Sequence, residues 1–81
     1  MIIKIAFYSY FRDWTGCSDR NLDFPDSALV RDVIGEIYRL YPKLSEMDKS
    51  MLVAVGLEYG DRDQALVDGD ELALFPPVQG G

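Results

Sequence analysis

Eighty-one residues make one domain, because a chain this short hides little more than ~60% of its unfolded surface and cannot be divided into two cores. With 48% hydrophobic and 27% charged residues the composition is that of a folded globular domain, and a net charge of −6 repels phosphate backbones and anionic lipid. The expected partner is therefore a basic protein surface, with no nucleic acid and no membrane. The absence of histidine and the presence of one cysteine, Cys17, exclude Ser-His-Asp and Cys-His catalysis, most structural zinc sites and an intrachain disulfide. No metal site is expected, and a reducing compartment, the cytoplasm, is.

Ile3, Ile5 and Phe7 alternate with Lys4, Ala6 and Tyr8, the period of a half-buried strand opening at Ile2. Lys4 and the lack of a small-residue cleavage site argue against a signal peptide, and no run approaches the ~20 apolar residues of a membrane span. Tyr10 to Cys17 mixes aromatic residues with Arg12, Asp13 and Gly16 and predicts a short helical turn or loop. Asn21 to Phe24 supplies a brief second strand, closed by Pro25.

Asp26 is placed to cap a helix of about four turns in which Val30, Val33, Ile34, Ile37, Leu40 and Tyr41 form one buried stripe, ended by Pro42. Gly35 lies inside it, either as a tolerated weakness or because the helix approaches the sheet closely there. Lys43 to Ser50 is polar and turn-like. Met51 to Leu57 is a continuous apolar run, as expected of a third strand covered on both sides or central in its sheet. Gly60-Asp61 marks a turn, Gln64 to Val67 a short connecting strand, and Asp68-Gly69-Asp70 a tight turn before a last strand, Glu71 to Phe75.

The order ββαβββ is that of an α+β domain whose mixed sheet wraps one main helix. The ubiquitin-like β-grasp is the commonest small example; a ferredoxin-like rearrangement would need a second helix that the sequence does not obviously supply. The domain spans residues 1–75, and residues 76–81, Pro-Pro-Val-Gln-Gly-Gly, form a tail. Pro76 and Pro77 fix φ and donate no hydrogen bond, so the chain is expected to leave the sheet there in a stiff, extended form. Six residues beyond Phe75 reach roughly 20 Å. Gly80 and Gly81 remove every β-carbon beside the carboxylate, so that a narrow active site could close around the terminus.

From Asp68 to Gly81 the chain resembles the molybdopterin synthase small subunit family, whose members end in a "DGDE" turn, an apolar strand and "FPPVxGG". Phe7 to Gly16, Phe24-Pro25 and Val53-Ala54-Val55 resemble that family more loosely, so the likeness covers the whole chain; Gly56, where the family often has Asn, departs from it. Thiamine-pathway sulfur carriers also end in Gly-Gly but usually lack the double proline, and archaeal ubiquitin-like modifiers share the proline-containing ending.

The resemblance implies that Gly81 is converted by ATP to an acyl-adenylate and then to a thiocarboxylate that donates sulfur to a pterin precursor for the molybdenum cofactor. It implies as partners the synthase large subunit, a ubiquitin-activating-enzyme-like adenylyltransferase and a sulfur-donating enzyme. No cofactor would be bound permanently, and the chain would supply sulfur without being an enzyme on its own. Gly80 would admit the terminus to the partner's pocket, Pro76 and Pro77 would hold the arm out, and Phe75 would anchor its base, a role compatible with its being the last core residue of the final strand. Tyr8, Tyr10, Phe11 and Trp14 exceed what a small core needs; Trp14 is expected to cover core, with one tyrosine facing the partner. Cys17, a thiol in a polar loop, is read as a bystander.

Overall fold

The computed structural model describes residues 1–77. Strand β1 (Ile2–Phe7) is followed by a short helix α1 (Phe11–Thr15), strand β2 (Asp19–Asp23), the main helix α2 (Val30–Leu40), a 3₁₀ segment (Pro42–Met47), and strands β3 (Leu52–Val55), β4 (Glu58–Tyr59) and β5 (Glu71–Phe75). The five strands form one sheet in the order β2-β1-β5-β3-β4. Only the β1–β5 pairing is parallel, with Lys4 opposite Glu71 and Phe7 opposite Leu74. One helix lies across a mixed sheet, which is the β-grasp arrangement.

Period-two alternation places Ile3, Ile5, Phe7, Val53, Leu72 and Leu74 on one face of this sheet, where they meet Val30, Val33, Ile34 and Ile37 of α2 in a single core. Each of these ten side chains is buried. At the β2 edge the exposed Asp19, Arg20, Asn21 and Asp23 discourage pairing with another strand. The Asp68-Gly69-Asp70 turn is tied to the opening of β1: the Ile2 N–H donates to Asp68 Oδ1 at 2.6 Å and the Lys4 N–H to the Asp70 carbonyl at 3.0 Å. β5 therefore starts in register with β1.

Four expectations need correction. Asp26 does not cap α2; it is exposed, and the N-cap is Leu29, in extended conformation. Its N–H donates to the Asp32 carboxylate at 2.8 Å, while the Val30 N–H donates to the Gln64 carbonyl at 2.9 Å. Those bonds draw residues 28–29 out of the helix, so α2 has 11 residues, about three turns. For the same reason Gln64 to Val67 is no strand: it is held by a single bridge, Ala65 to Leu29.

The fourth strand is instead Glu58–Tyr59, joined to β3 by the two-residue turn Gly56-Leu57. Gly56 takes φ +63 at the first turn position, the requirement of a tight hairpin with glycine leading. β3 itself is neither central nor covered on both faces, since β5 occupies the centre and β3 lies next to the edge. Gly35 is exposed, and a β-carbon there would meet nothing within 4 Å, so close packing does not explain it.

Candidate functional site: an apolar groove at the base of the tail

Among the described residues no helix covers the outer face of the sheet, yet its β5–β3 half is largely apolar. Leu52 and Ala54 of β3 and Ala73 and Phe75 of β5 point there because their neighbours Val53, Leu72 and Leu74 point into the core. Together with Leu57 and Tyr59 of the β3–β4 hairpin, with Tyr8 beyond β1, and with Pro76 and Pro77, they line an open groove of about 740 Å³. Leu57 is fully exposed and Tyr59 is 79% exposed. Large apolar groups clustered in the open mark a contact surface.

The groove ends where the chain enters its last residues. Phe75 is half-buried on this outer face and is not a core residue; its ring stacks on Tyr8 with centroids 4.5 Å apart and planes 14° apart. Pro76 is still buried and Pro77 half-buried, so the chain stays packed against the domain for two residues after β5 ends. Gly80 and Gly81 lie outside the described residues. Glu71 also lines the groove and pairs with Lys4 at 3.5 Å, while Glu58 sits exposed on the hairpin beside Tyr59.

The remaining sequence candidates divide clearly. Phe11 is fully buried, and Trp14 is half-buried against the core with the Lys43 ammonium 4.5 Å from its ring centroid, so both serve packing. Tyr8 is 40% exposed and belongs to the groove. Cys17 is half-buried, with its Sγ 3.7 Å from Thr15 Oγ1 and 3.9 Å from the Tyr41 hydroxyl, and does not line the groove. Among the described residues no group of His, Cys, Asp and Glu is placed to hold a metal ion.

Perturbed titrating groups gather elsewhere, at Tyr38, Asp48 and Arg62. The Tyr38 hydroxyl and the Arg62 guanidinium each donate to Asp48 Oδ1 at 2.5 Å, and Arg62 also donates to the Asp48 carbonyl at 2.8 Å. Burial, followed by the hydrogen bond to Asp48, pushes the Tyr38 phenol up to about 12, and the Tyr38 and Arg62 bonds hold the Asp48 carboxyl below its ordinary value. Every member has a partner, so the cluster acts as a clamp joining α2, the 3₁₀ segment and the loop before β5.

Tyr59, Leu57, Leu52 and Ala54 were not among the residues the sequence singled out. For Leu52, Ala54 and Leu57 the signal was present in the apolar run Met51 to Leu57, which reads equally as a strand covered by its own fold and as one whose outer face awaits a partner; Tyr59 lies beyond that run.

The ThiS family profile matches residues 5–81. The chain belongs to the ThiS family. A molybdopterin synthase sulfur carrier subunit of Chlamydomonas reinhardtii is 31% identical, with all of both chains covered, and that of Escherichia coli K12 is 33% identical over 99% of this chain and 100% of its own. Among solved structures, small archaeal modifier protein 1 of Haloferax volcanii superposes with a TM-score of 0.88 at 27% identity, covering 100% of each chain. The two sequence relatives cover at least 99% of this ThiS family member. No helix of the described residues is long and apolar enough to cross a membrane.

Proposed function

We propose that this chain is the sulfur carrier subunit of a molybdopterin synthase, acting through a thiocarboxylate on Gly81. The observation that carries the reading is the apolar groove that runs to Pro76 and Pro77, in a chain matched over its full length by sulfur carrier subunits. Such a surface suits docking: Glu71 and the tyrosines Tyr8, Tyr10 and Tyr59 are the residues with ionisable side chains in its lining, so the catalytic residues would come from the partner. The chain supplies the reacting terminus and is not an enzyme on its own.

A free carboxylate is a poor electrophile, so activation must come first. In an adenylyltransferase resembling ubiquitin-activating enzymes, a Gly81 carboxylate oxygen attacks the α-phosphorus of ATP and pyrophosphate leaves. Sulfur at the hydrosulfide level, delivered by a sulfur-donating enzyme, then attacks the acyl carbon; AMP leaves and the thiocarboxylate remains. In the large subunit its sulfur attacks an electrophilic carbon of the pterin precursor as a carbon–oxygen bond there breaks and the oxygen leaves, and water then cleaves the acyl carbon–sulfur bond, leaving the sulfur on the pterin as a thiolate and restoring the carboxylate. Gly80 lets the terminus enter a narrow channel because it carries no β-carbon. The groove holds the domain while the tail reaches in. The net charge of −6 favours basic surfaces on these partners in the cytoplasm.

The experiment is intact-mass spectrometry after incubation with ATP, the activating enzyme and a sulfur source. The full chain should exchange one oxygen for sulfur, and a chain lacking Gly81, its carboxylate roughly 3.5 Å short, should not. Equal thiolation of the shortened chain would remove Gly81 from the chemistry. A second reading, a modifier joined through Gly81 to lysines of other proteins, is favoured by the likeness to the archaeal modifier. Isopeptide adducts from the same incubation would support it.

A further inference from the structure

The β-ladder fixes the chain only as far as Phe75, which pairs with Leu52. Pro76 and Pro77 lack backbone N–H groups and cannot extend it. The direction in which the chain leaves the sheet must therefore be set by side-chain packing at Phe75 and Pro76. The side chain stacked on Phe75 is Tyr8, with nearly parallel rings.

Tyr8 is held there by an unusual piece of backbone. Its N–H donates to the Leu74 carbonyl at 3.2 Å, carrying the β1–β5 pairing one residue past β1. Ser9 then turns the chain with φ +56, the one non-glycine residue at positive φ among those described. That turn lets the Phe11 N–H reach the Tyr8 carbonyl at 3.2 Å and the Arg12 N–H the Ser9 carbonyl at 3.1 Å, starting α1 while the Tyr8 ring stays on the outer face. A left-handed serine is disfavoured, and it persists only where surrounding bonds impose it.

We propose that Tyr8 is a positioning residue for the tail chemistry: stacked on Phe75, it fixes the angle at which the chain enters Pro76 and Pro77. Resting on the sulfur-carrier reading, this separates Tyr8 from the other exposed groups of the groove. Tyr59 and Leu57 belong to the β3–β4 hairpin and not to this stack and act through affinity, whereas Tyr8 acts through the rate once the domain is bound.

The test is a steady-state assay of pyrophosphate release by the activating enzyme, with the carrier as varied substrate. Tyr8→Leu keeps an apolar contact but removes the stack. Its kcat should fall roughly 3- to 10-fold, the size of an aromatic pair's coupling, with KM unchanged within about twofold. Tyr8→Phe, which keeps the ring, should restore the rate. Phe75→Leu breaks the same stack from its other side and serves if Tyr8→Leu does not fold; the double variant should lose no more than either single one. A raised KM with unchanged kcat would make Tyr8 a docking contact and overturn the proposal, as would multiplicative losses in the double variant. A wild-type chain that releases no pyrophosphate would sink the carrier reading and this inference together; a working wild type beside an unimpaired Tyr8→Leu would sink the inference alone.

Discussion

The inner face of the sheet and the β5–β3 half of its outer face both carry apolar side chains and have opposite fates. On the inner face Ile3, Ile5, Phe7, Leu72 and Leu74 are buried under α2, whereas on the outer face Leu52, Tyr59, Phe75 and Tyr8 remain half-buried or exposed. A stable fold needs only the first. The second gives the folded monomer little in return for apolar surface left in water, so its retention makes sense as binding energy held for a partner. The tail leaves from the boundary between these two roles, at the end of β5, a strand that contributes Leu72 and Leu74 to one face and Ala73 and Phe75 to the other.

The largest expected effect comes from crossing to the inner face. Leu74→Ala should cost about 2–5 kcal/mol, because a fully buried side chain is removed from a packed core that closes only partly around the gap. Chemical denaturation measures it, and a loss under about 1 kcal/mol would mean that the core is looser than described. Tyr59→Ser, on the outer face of the same sheet, should change stability by no more than about 0.5 kcal/mol yet weaken binding to the activating enzyme by roughly tenfold. Calorimetric titration beside a melting curve reads both. A variant that melts early and binds normally would reverse the assignment of the faces.

The smallest effect lies on α2, away from both faces. Gly35→Ala places a methyl group in open space at a helical position and should stabilise the domain by about 0.5–1 kcal/mol, leaving partner affinity as it was. A destabilised variant would show that the helix needs glycine there after all.

The inner face was legible in the sequence because periodicity encodes it: alternation at Ile3, Ile5 and Phe7, and the three-and-four spacing of Val30, Val33, Ile34 and Ile37. The start of α2 was not, because it is decided by bonds from Gln64 and the Leu29–Ala65 bridge, which join residues more than thirty positions apart. Local capping chemistry at Asp26 could not anticipate them. The polar appearance of Lys43 to Ser50 likewise hid Leu44, a fully buried residue of the 3₁₀ segment. At the candidate site the tail was legible through its composition and Phe75 through its place before the prolines. Tyr59 and Leu57 were not, since a strand in contact with a partner and a strand covered by its own fold carry the same apolar residues.

The central claim is that sulfur leaves this chain for a small molecule. The chain should be thiocarboxylated with labelled sulfur, mixed with the large synthase subunit and the pterin precursor, and followed in a single turnover. The account predicts that the label appears in the pterin product while the chain returns to its carboxylate form at the same rate. Label retained on the chain, with the chain itself joined through Gly81 to lysines of other proteins, would contradict it.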